Sequence, residues 1–300
     1  MNNELTNSGM NPQGTPLTGS KTVDPGKGNR EKDPAWPLVT VVTVVYNGES
    51  TIEATVASIV AQTYQYVEYI IIDGASKDST LGIIQKYAEN IDIILSEPDR
   101  GIYDAMNKGV ARATGEWIIF MNGGDRFFSP TVLEDIFQVP RCDEDVLYGN
   151  VIFHNGNAGE MHVEARDLSE FWKGMCFVHQ SCMVKTALMK AKPYDTSFRI
   201  AGDYKFLFDL YTSGKVFVHL DMPIARFESG GLSDNNPAGI EECARIVLPT
   251  HRKLKHKLYF SFRWCYCLLL FRSARMIGQK NYAKLRLVKH KILKTISHMI

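Results

Sequence analysis

Residues 38–74 read LVTVVTVVYNGESTIEATVASIVAQTYQYVEYIIIDG. Residues 38–45 are apolar or β-branched, which predicts a strand that is covered on both faces. Residues 50–53, Ser-Thr-Ile-Glu, match a capping box, and the apolar residues after them recur on one face of a helix that we expect to end near Gln62. A second apolar run follows at 67–72. This order of strand, helix and strand is typical of a parallel sheet covered by helices.

The same alternation continues along the chain. Helix-starting residues at 76–79 predict a helix that runs to about residue 90. After it we expect a third strand at 91–95, a helix at 103–113, a fourth strand at 116–121 and a fifth strand at 146–153. The sequence therefore predicts an α/β fold with a Rossmann-like, mostly parallel central sheet flanked by helices.

The composition is that of an ordinary folded enzyme. The chain has 300 residues, of which 45% are hydrophobic and 22% are charged, and this excludes a disordered, collagenous or coiled-coil protein. Its six cysteines include no CxxC pair, so we expect neither a disulfide scaffold nor a structural zinc site. The start of the chain lacks the basic and apolar regions of a secretory signal. We therefore expect a cytoplasmic protein.

The two ends of the chain differ from its middle. Residues 1–36 are rich in Asn, Gly, Ser, Thr, Pro and Lys without apolar periodicity, which predicts a disordered N-terminal arm. Residues 251–300 contain 13 Lys and Arg and no Asp or Glu, whereas the first 250 residues contain 21 Lys and Arg against 33 Asp and Glu. We expect residues 241–300 to form a basic, amphipathic helical C-terminal region that follows the catalytic domain.

The basic C-terminal region has three possible roles. Its apolar stretch at 258–271 is shorter than the roughly 20 residues that a membrane-spanning helix needs. Aromatic and leucine residues between basic clusters favour a helix that lies on an anionic membrane, on the inner face of the cell membrane. The alternative is a helical pair that packs on the catalytic domain or forms a dimer interface. We expect no nucleic-acid binding, because no RNA- or DNA-binding motif accompanies the positive charge.

Polar turns follow four of the predicted strands, at 46–47, 73–74, 99–101 and 124–125. Because the carboxyl ends of parallel strands line one crevice, we expect these turns to form a ligand site. Neither G-x-G-x-x-G nor the phosphate loop G-x-x-x-x-G-K-[ST] is present, which excludes a dinucleotide dehydrogenase and a P-loop ATPase. An acidic pocket binds a diphosphate only through a divalent cation, Mn²⁺ or Mg²⁺. The alternative is that each Asp only caps a helix or shapes a turn.

The segments VVYNGE, IIIDGASKDST, SEPDRGIYDAMNKG and ATGEWIIFMNGGD, in this order, resemble glycosyltransferase family 2, of the GT-A fold. The resemblance covers roughly residues 37–235 and implies a GT-A domain at about 37–240. The third segment looks like the subgroup of bacterial enzymes that build exopolysaccharide and colanic-acid-type repeat units. The resemblance implies transfer of a sugar from a nucleoside diphosphate, with a UDP-sugar favoured, and with inversion at the anomeric carbon. The acceptor would be a saccharide or a lipid-linked hydroxyl.

The resemblance also implies roles on the donor side of the site. Asp73 would hydrogen-bond the base, and Asp125 would be the surviving member of the DxD-type metal motif. Gly124 stands where family members often carry the first Asp of that motif. The other residues expected to face the donor are Tyr46, Asn47, Glu49, Asp99, Arg100, Asn107, Lys108 and Asn122; of these, Lys108 has the alternative of an ordinary solvated surface charge.

On the acceptor side, Asp203 matches the position of the family's general base, which takes the proton of the attacking hydroxyl. Its alternative role is the N-cap of a helix at 204–211. His179, Gln180 and Trp172 look like acceptor-side residues, although His179 and Trp172 also fit a protein core. The glycine-rich segment 227–233 is expected either to cover the donor diphosphate or to be a plain connecting turn.

Two other function classes remain open on the sequence alone. A sugar-nucleotide nucleotidyltransferase shares the fold, but the basic loop that would bind a nucleoside triphosphate near the N-terminus is missing. A non-catalytic nucleotide-binding scaffold of a polysaccharide assembly complex would explain the glycine at position 124.

Overall fold

The computed structural model describes residues 36–141, 143–154, 159–228 and 237–277. Almost all of the predicted N-terminal arm at 1–36 and most of the glycine-rich segment at 227–233 lie outside the described residues, as does the chain after residue 277.

The N-terminal half follows the predicted alternation of strands and helices. Its elements are β1 (Val39–Val45), α1 (Ile52–Val60), β2 (Val67–Asp73), α2 (Thr80–Gln85), β3 (Ile93–Ser96), α3 (Ile102–Arg112) and β4 (Trp117–Phe120). Each apolar run that predicted a strand here is a strand, with ends that differ by at most two residues from the prediction.

The C-terminal half is more irregular. Its elements are β5 (Arg126–Phe127), α4 (Val132–Phe137), β6 (Val146–His154), β7 (Glu160–Val163), β8 (Cys182–Lys185), α5 (Thr186–Ala191), α6 (Gly202–Thr212), β9 (Phe217–Glu228), α7 (Pro237–Val247) and α8 (Leu254–Ile277). Short 3₁₀ turns at Leu168–Lys173 and His179–Ser181 precede β8.

The described strands form one nine-stranded sheet in the order β3-β2-β1-β4-β8-β6-β9-β5, with β7 on β6. The first four strands are all parallel, as predicted. β8 is antiparallel to both β4 and β6, whereas β9 runs parallel to β6. The parallel half carries the turns of the predicted donor site, and the second half extends the sheet on the side of β4.

Both faces of the parallel half are buried. Along β1, Val42 and Val44 belong to one apolar cluster, and Val39 and Val41 belong to the other. Helix α3 approaches the sheet so closely that a Cβ at Gly109 would lie 2.5 Å from Val42 Cγ1. The burial of every residue of β1 explains why its sequence lacks polar alternation.

The predicted capping box at 50–53 is wrong in its contacts, although α1 begins there. Thr51 is the N-cap residue of α1, but its side chain makes no capping hydrogen bond. Its hydroxyl donates instead to the Gly48 carbonyl at 3.4 Å. Glu53 lies 3.7 Å from the Lys86 ammonium across the α1–α2 contact. The side chains therefore serve the neighbouring turn and helix rather than the helix start.

The two C-terminal helices pack on the rest of the protein. The Trp172 ring lies 4.5 Å from the ring of His256 and 5.2 Å from that of Tyr259, and Arg263 donates to the Lys173 carbonyl at 2.5 Å. Packing on the catalytic domain, one of the roles considered for this region, is therefore present in α7 and α8. The domain boundary expected at residue 240 falls inside α7. None of the helices in the described ranges is long and apolar enough to cross a membrane.

Candidate active site

The polar turns after β1, β2 and β3 lie against one another. A Cβ at Gly74 would be 2.5 Å from Asp99 Oδ2 and 3.4 Å from the ring of Tyr46. The turn after β4 lies beside the end of β1, because the Gly123 amide donates to the Val44 carbonyl at 3.0 Å. The four segments that the sequence analysis placed in one crevice therefore meet at the carboxyl edge of the parallel strands.

The turn after β1 is tied to the turn after β2 by side chains of both. Asn47 has a φ of 48°, and its Oδ1 accepts a hydrogen bond from the Lys77 amide at 2.9 Å. Its own amide donates to Ser76 Oγ at 2.8 Å. Glu49 Oε2 accepts from the Ser79 amide at 3.0 Å. Asn47 and Glu49 thus shape the wall of the predicted nucleoside pocket, whereas the ring of Tyr46 is exposed.

Asp73 lies at the end of β2 and is completely buried. Its Oδ2 accepts from the Ser76 amide at 3.1 Å and from the Ser96 hydroxyl at 2.6 Å. Its Oδ1 has no hydrogen-bond partner among the described residues. A buried carboxylate oxygen without a partner is costly, so this atom is suited to accept a hydrogen bond from a bound ligand.

Several residues around α3 that were expected to face the donor make contacts within the protein. Lys108 lies 2.9 Å from Glu97 Oε1 and donates to the Pro98 carbonyl at 2.7 Å. Asn107 makes two hydrogen bonds with the backbone of Tyr194, at 2.8 and 2.9 Å. These contacts occupy both side chains, so the donor roles expected for Lys108 and Asn107 find no support in the geometry.

Asp99 and Arg100 lie in the turn between β3 and α3. Asp99 Oδ1 accepts from the Gly101 amide at 2.9 Å. The exposed Arg100 guanidinium is 2.9 Å from Asp104 Oδ1 and, by this hydrogen bond, holds the pKa of Asp104 below its usual value. Arg100 is thus an exposed cation, paired with Asp104, in the turn that carries Asp99.

The turn at 122–125 is closed by a hydrogen bond from the Asp125 amide to the Asn122 carbonyl at 2.9 Å. Gly124 has a φ of +108° within it, and its amide donates to Thr55 Oγ1 at 2.9 Å. An Asp at this position would be strained whatever the space around it. The turn therefore accounts for the glycine at the position where family members often have an Asp.

The turn at 122–125 offers oxygen donors that suit a divalent cation bound through phosphates. In the described ranges, no group of three or more His, Cys, Asp or Glu side chains is placed to hold a metal ion. A Mg²⁺ or Mn²⁺ ion that is bound mainly through substrate phosphates needs only one or two protein carboxylates. Asp125 supplies a buried carboxylate, and Asn122 supplies a buried Oδ1 atom that has no hydrogen-bond partner among the described residues. These two oxygen donors fit that mode of binding.

Asp203 lies in the first turn of α6. The Tyr103 hydroxyl is 3.0 Å from Asp203 Oδ1 and 2.7 Å from the Ile200 carbonyl. Tyr103 belongs to α3, whose first residue directly follows Gly101. Asp203 is thereby linked through the Tyr103 side chain to the helix that follows the turn at 99–101.

Gln180 and His179 connect the two halves of the site. Gln180 Nε2 donates to Asp125 Oδ2 at 2.8 Å. The His179 side chain is half-buried. Its ring stacks on Phe120 and is hydrogen-bonded through Nε2 to the Tyr194 hydroxyl at 2.8 Å. Burial lowers the pKa of His179, and the negative charge of Asp203 opposes this effect only in part. His179 is thus held between Phe120 and Tyr194.

The ring of Trp172 contacts α8, and the partly buried side chain packs against the apolar core. The core role considered for Trp172 explains its environment, and the acceptor-side role finds no support there.

The sequence did not single out Tyr103 or Glu242. Tyr103 lies inside the quoted segment SEPDRGIYDAMNKG, but an aromatic residue in an amphipathic helix has the pattern of a core residue. Glu242 contacts the segment before Asp203 from 41 residues further along the chain, and no spacing indicates such a contact. The charge of Glu242 within an apolar helical stretch is the one signal that the sequence offers.

The sheet, with a polar, partly acidic crevice at the carboxyl edge of its parallel half, is that of a GT-A-like α/β fold. Residues 40–203 match the model of glycosyl transferase family 2, and the chain belongs to this family. It is a glycosyltransferase.

Curated relatives agree with this assignment. The chain is 28% identical over 238 residues to the PGL/p-HBAD biosynthesis glycosyltransferase of Mycobacterium tuberculosis, covering 77% of this chain and 92% of that protein. It is 37% identical over 94 residues to the putative teichuronic acid biosynthesis glycosyltransferase TuaG of Bacillus subtilis, covering 30% of this chain and 37% of that protein.

Solved structures share the fold. Staphylococcus aureus TarS in complex with UDP-GlcNAc matches with a TM-score of 0.57 and 19% identity, over 70% of this chain and 66% of that chain. The mannosyltransferase PcManGT of Pyrobaculum calidifontis, in complex with GDP-Man and Mn²⁺, matches with a TM-score of 0.57 and 16% identity, over 88% of this chain and 83% of that chain. At these identities the likeness concerns the fold alone.

Proposed function

We propose that the protein is an inverting glycosyltransferase of cell-surface polysaccharide biosynthesis, in the exopolysaccharide and colanic-acid-type subgroup. It transfers a sugar from a nucleoside diphosphate to a hydroxyl of a saccharide or a lipid-linked acceptor. The observation that supports the proposal is the hydrogen bond between the Tyr103 hydroxyl and Asp203 Oδ1, because Tyr103 is the second residue of the helix that follows the turn at 99–101. In the proposed site, this contact would keep a proton acceptor on the side of the donor crevice.

In the proposed reaction, the acceptor oxygen attacks the anomeric carbon from the face opposite the diphosphate. Asp203 takes the proton of the attacking hydroxyl as the new C–O bond forms. The bond between the anomeric carbon and the diphosphate oxygen breaks, and its electron pair leaves with the nucleoside diphosphate. Asp125 and Asn122 would hold a divalent cation, which neutralises charge on the leaving diphosphate.

The donor half of the proposed site favours a base that carries a ring N–H. Asp73 Oδ1 is a buried acceptor without a partner in the described chain, and uracil, thymine and guanine each present an N–H that can donate to it. Neighbouring solved structures contain UDP-GlcNAc and GDP-Man, and we favour a UDP-sugar for this protein.

The outer face of α8 supports a peripheral contact with the inner face of the cell membrane. Leu254, Leu258 and Phe262 recur every four residues and are 70%, 49% and 59% exposed. Lys255 and Lys257 flank this apolar stripe and are also exposed. An exposed apolar stripe between lysines fits the headgroup region of an anionic bilayer, and it would bring a lipid-linked acceptor to the cytoplasmic enzyme.

A thermal-shift screen against UDP, GDP, dTDP and CMP, each with and without Mn²⁺, tests the donor site. A ligand that binds only the folded protein raises the melting temperature, and we expect the largest shift for UDP with Mn²⁺. A folded protein that responds to none of the four would contradict the donor site. The products formed from the donor then distinguish the functions. Release of pyrophosphate would indicate a nucleotidyltransferase, and nucleotide binding without any product would indicate a non-catalytic scaffold.

A further inference from the structure

Glu242 of α7 is a buried carboxylate with three backbone donors. Its side chain is 8% exposed. Oε1 accepts from the Arg199 amide at 2.9 Å, and Oε2 accepts from the Ile200 and Ala201 amides at 2.9 and 2.8 Å. Hydrogen bonds to an ionised acceptor are stronger than neutral ones, so three of them fix the backbone of residues 199–201 firmly.

These three amides belong to the segment that leads into the candidate base. Ala201 is the N-cap of α6, and Asp203 lies two residues later. The first amides of a helix lack partners within the helix, and a negative charge near them is favourable. Glu242 thus satisfies the amide of the N-cap residue Ala201 and the two amides before it, which would otherwise be left for water.

A second element holds the same segment from α3. The Tyr103 hydroxyl contacts the Ile200 carbonyl and Asp203 Oδ1. Its ring lies against Gly202, where a Cβ would come within 2.8 Å of the ring carbons. The segment 199–203 is therefore clamped between the Tyr103 side chain on α3 and the Glu242 carboxylate on α7.

We propose that Glu242 is a positioning residue, which holds the backbone of residues 199–201 so that the Asp203 carboxylate reaches the acceptor hydroxyl. This inference rests on the proposed role of Asp203 as the base. A displacement of about 1 Å at a reacting group can cost 10²-fold in rate, so a carboxylate that never touches substrate sets turnover through the backbone. Helix α7 is then part of the catalytic apparatus.

The test compares Glu242→Gln with Glu241→Gln. The glutamine at 242 keeps the volume but replaces one acceptor oxygen by an NH₂ group, which faces a backbone N–H. Glu241 is exposed on the same helix and accepts from Trp264 Nε1 at 2.8 Å, a bond that a glutamine oxygen can also accept. We expect kcat to fall roughly 10- to 100-fold in Glu242→Gln, with nucleotide Kd and donor KM unchanged, and to stay within about twofold in Glu241→Gln.

Hydrogen exchange of the amides gives a readout that does not depend on the assay of transfer. In Glu242→Gln, the amides of 199–201 should exchange faster than in the wild type and in Glu241→Gln. Faster exchange with normal kcat would overturn the proposal, and so would a fall in kcat with unchanged exchange. A rise in donor Kd in step with the loss of kcat would indicate a general structural role and would also overturn it.

Two further variants keep the test decisive. If Glu242→Gln does not fold, Glu242→Asp keeps the charge on a side chain one methylene shorter, and the same slow turnover and faster exchange are expected. Combining Glu242→Gln with Asp203→Asn should add little loss, because the two residues act on one step; a full additional loss would contradict the inference. An active Asp203→Asn protein would instead refute the proposed role of Asp203 as the base. The exchange rates of the 199–201 amides would then still show whether Glu242 holds this backbone.

Discussion

Asp203 is one side chain on which the proposed chemistry depends. We expect Asp203→Asn to lower kcat by about 10²- to 10⁴-fold, the usual contribution of a general base, because an amide does not take the proton of the acceptor hydroxyl. Asparagine can still accept the Tyr103 hydrogen bond, so the melting temperature and the nucleotide Kd should change little. Sugar transfer measured by product formation checks this, with Asp195→Asn as a control of equal charge change on an exposed residue. Near-normal transfer by Asp203→Asn would contradict the assignment.

His179 gives the protein a pH-dependent contribution to stability. Burial lowers its pKa in the folded protein below the ordinary value, which is about 6.5. The unfolded chain therefore binds a proton at a higher pH than the folded chain does, so this contribution is complete above about pH 6.5 and is lost as the pH falls below it.

We expect the melting temperature of the wild type to fall between pH 7.5 and pH 5.5, and to fall less in His179→Gln. His251, whose pKa burial also lowers, titrates in both proteins and so cancels in the comparison. Equal slopes in the two proteins would show that His179 is not the group responsible.

Some site residues could be placed from the sequence, and others could not. Asp73 and Asp125 could be placed in the crevice because Asp73 ends one buried strand of the parallel half and Asp125 lies in the turn after another. The contacts that occupy Asn107 and Lys108 could not be foreseen, since Asn107 pairs with a backbone 87 residues away. Gly124 is explained only by its positive φ, which the sequence does not reveal.

At the level of elements, the parallel half was predictable because each of its strands is a short apolar run between polar turns. The second half was not. The five strands of this half include a two-residue strand, β5, and an antiparallel insertion, β8, and neither length nor direction of pairing is encoded in local periodicity. The fifth predicted strand at 146–153 is present as β6, but its parallel partner β9 begins more than 60 residues later.

We expect the exposed apolar residues on the outer face of α8 to determine how strongly the protein binds a membrane. Burying a leucine side chain is worth about 1.5–3 kcal/mol, so Leu258→Glu should weaken binding to vesicles of phosphatidylglycerol by roughly tenfold or more. The melting temperature should not change, because Leu258 lies on the exposed side of the helix. Val139→Glu, at another exposed apolar residue, is the control for added negative charge. Vesicle binding by Leu258→Glu at the wild-type level would argue against this face.

At the scale of the whole molecule, Trp172 packs the C-terminal helix α8 against the rest of the protein. Its ring contacts His256 and Tyr259 of α8. We expect Trp172→Ala to lose about 2 kcal/mol, less than the roughly 3–5 kcal/mol of a fully buried tryptophan because the side chain is only partly buried, and to lower the melting temperature by several degrees. The acceptor KM should be unchanged in a steady-state assay. A raised acceptor KM with an unchanged melting temperature would instead make Trp172 an acceptor-side residue.

The bonds between the turns after β1 and β2 have a consequence for the energetics of donor binding. Asn47 and Glu49 already fix both turns without any ligand. Binding of a nucleoside between these turns should therefore cost little conformational entropy of the protein. Its association should therefore resemble docking to a rigid template, with an affinity set by how well its own shape and polar groups match the wall and with little reorganisation of the backbone.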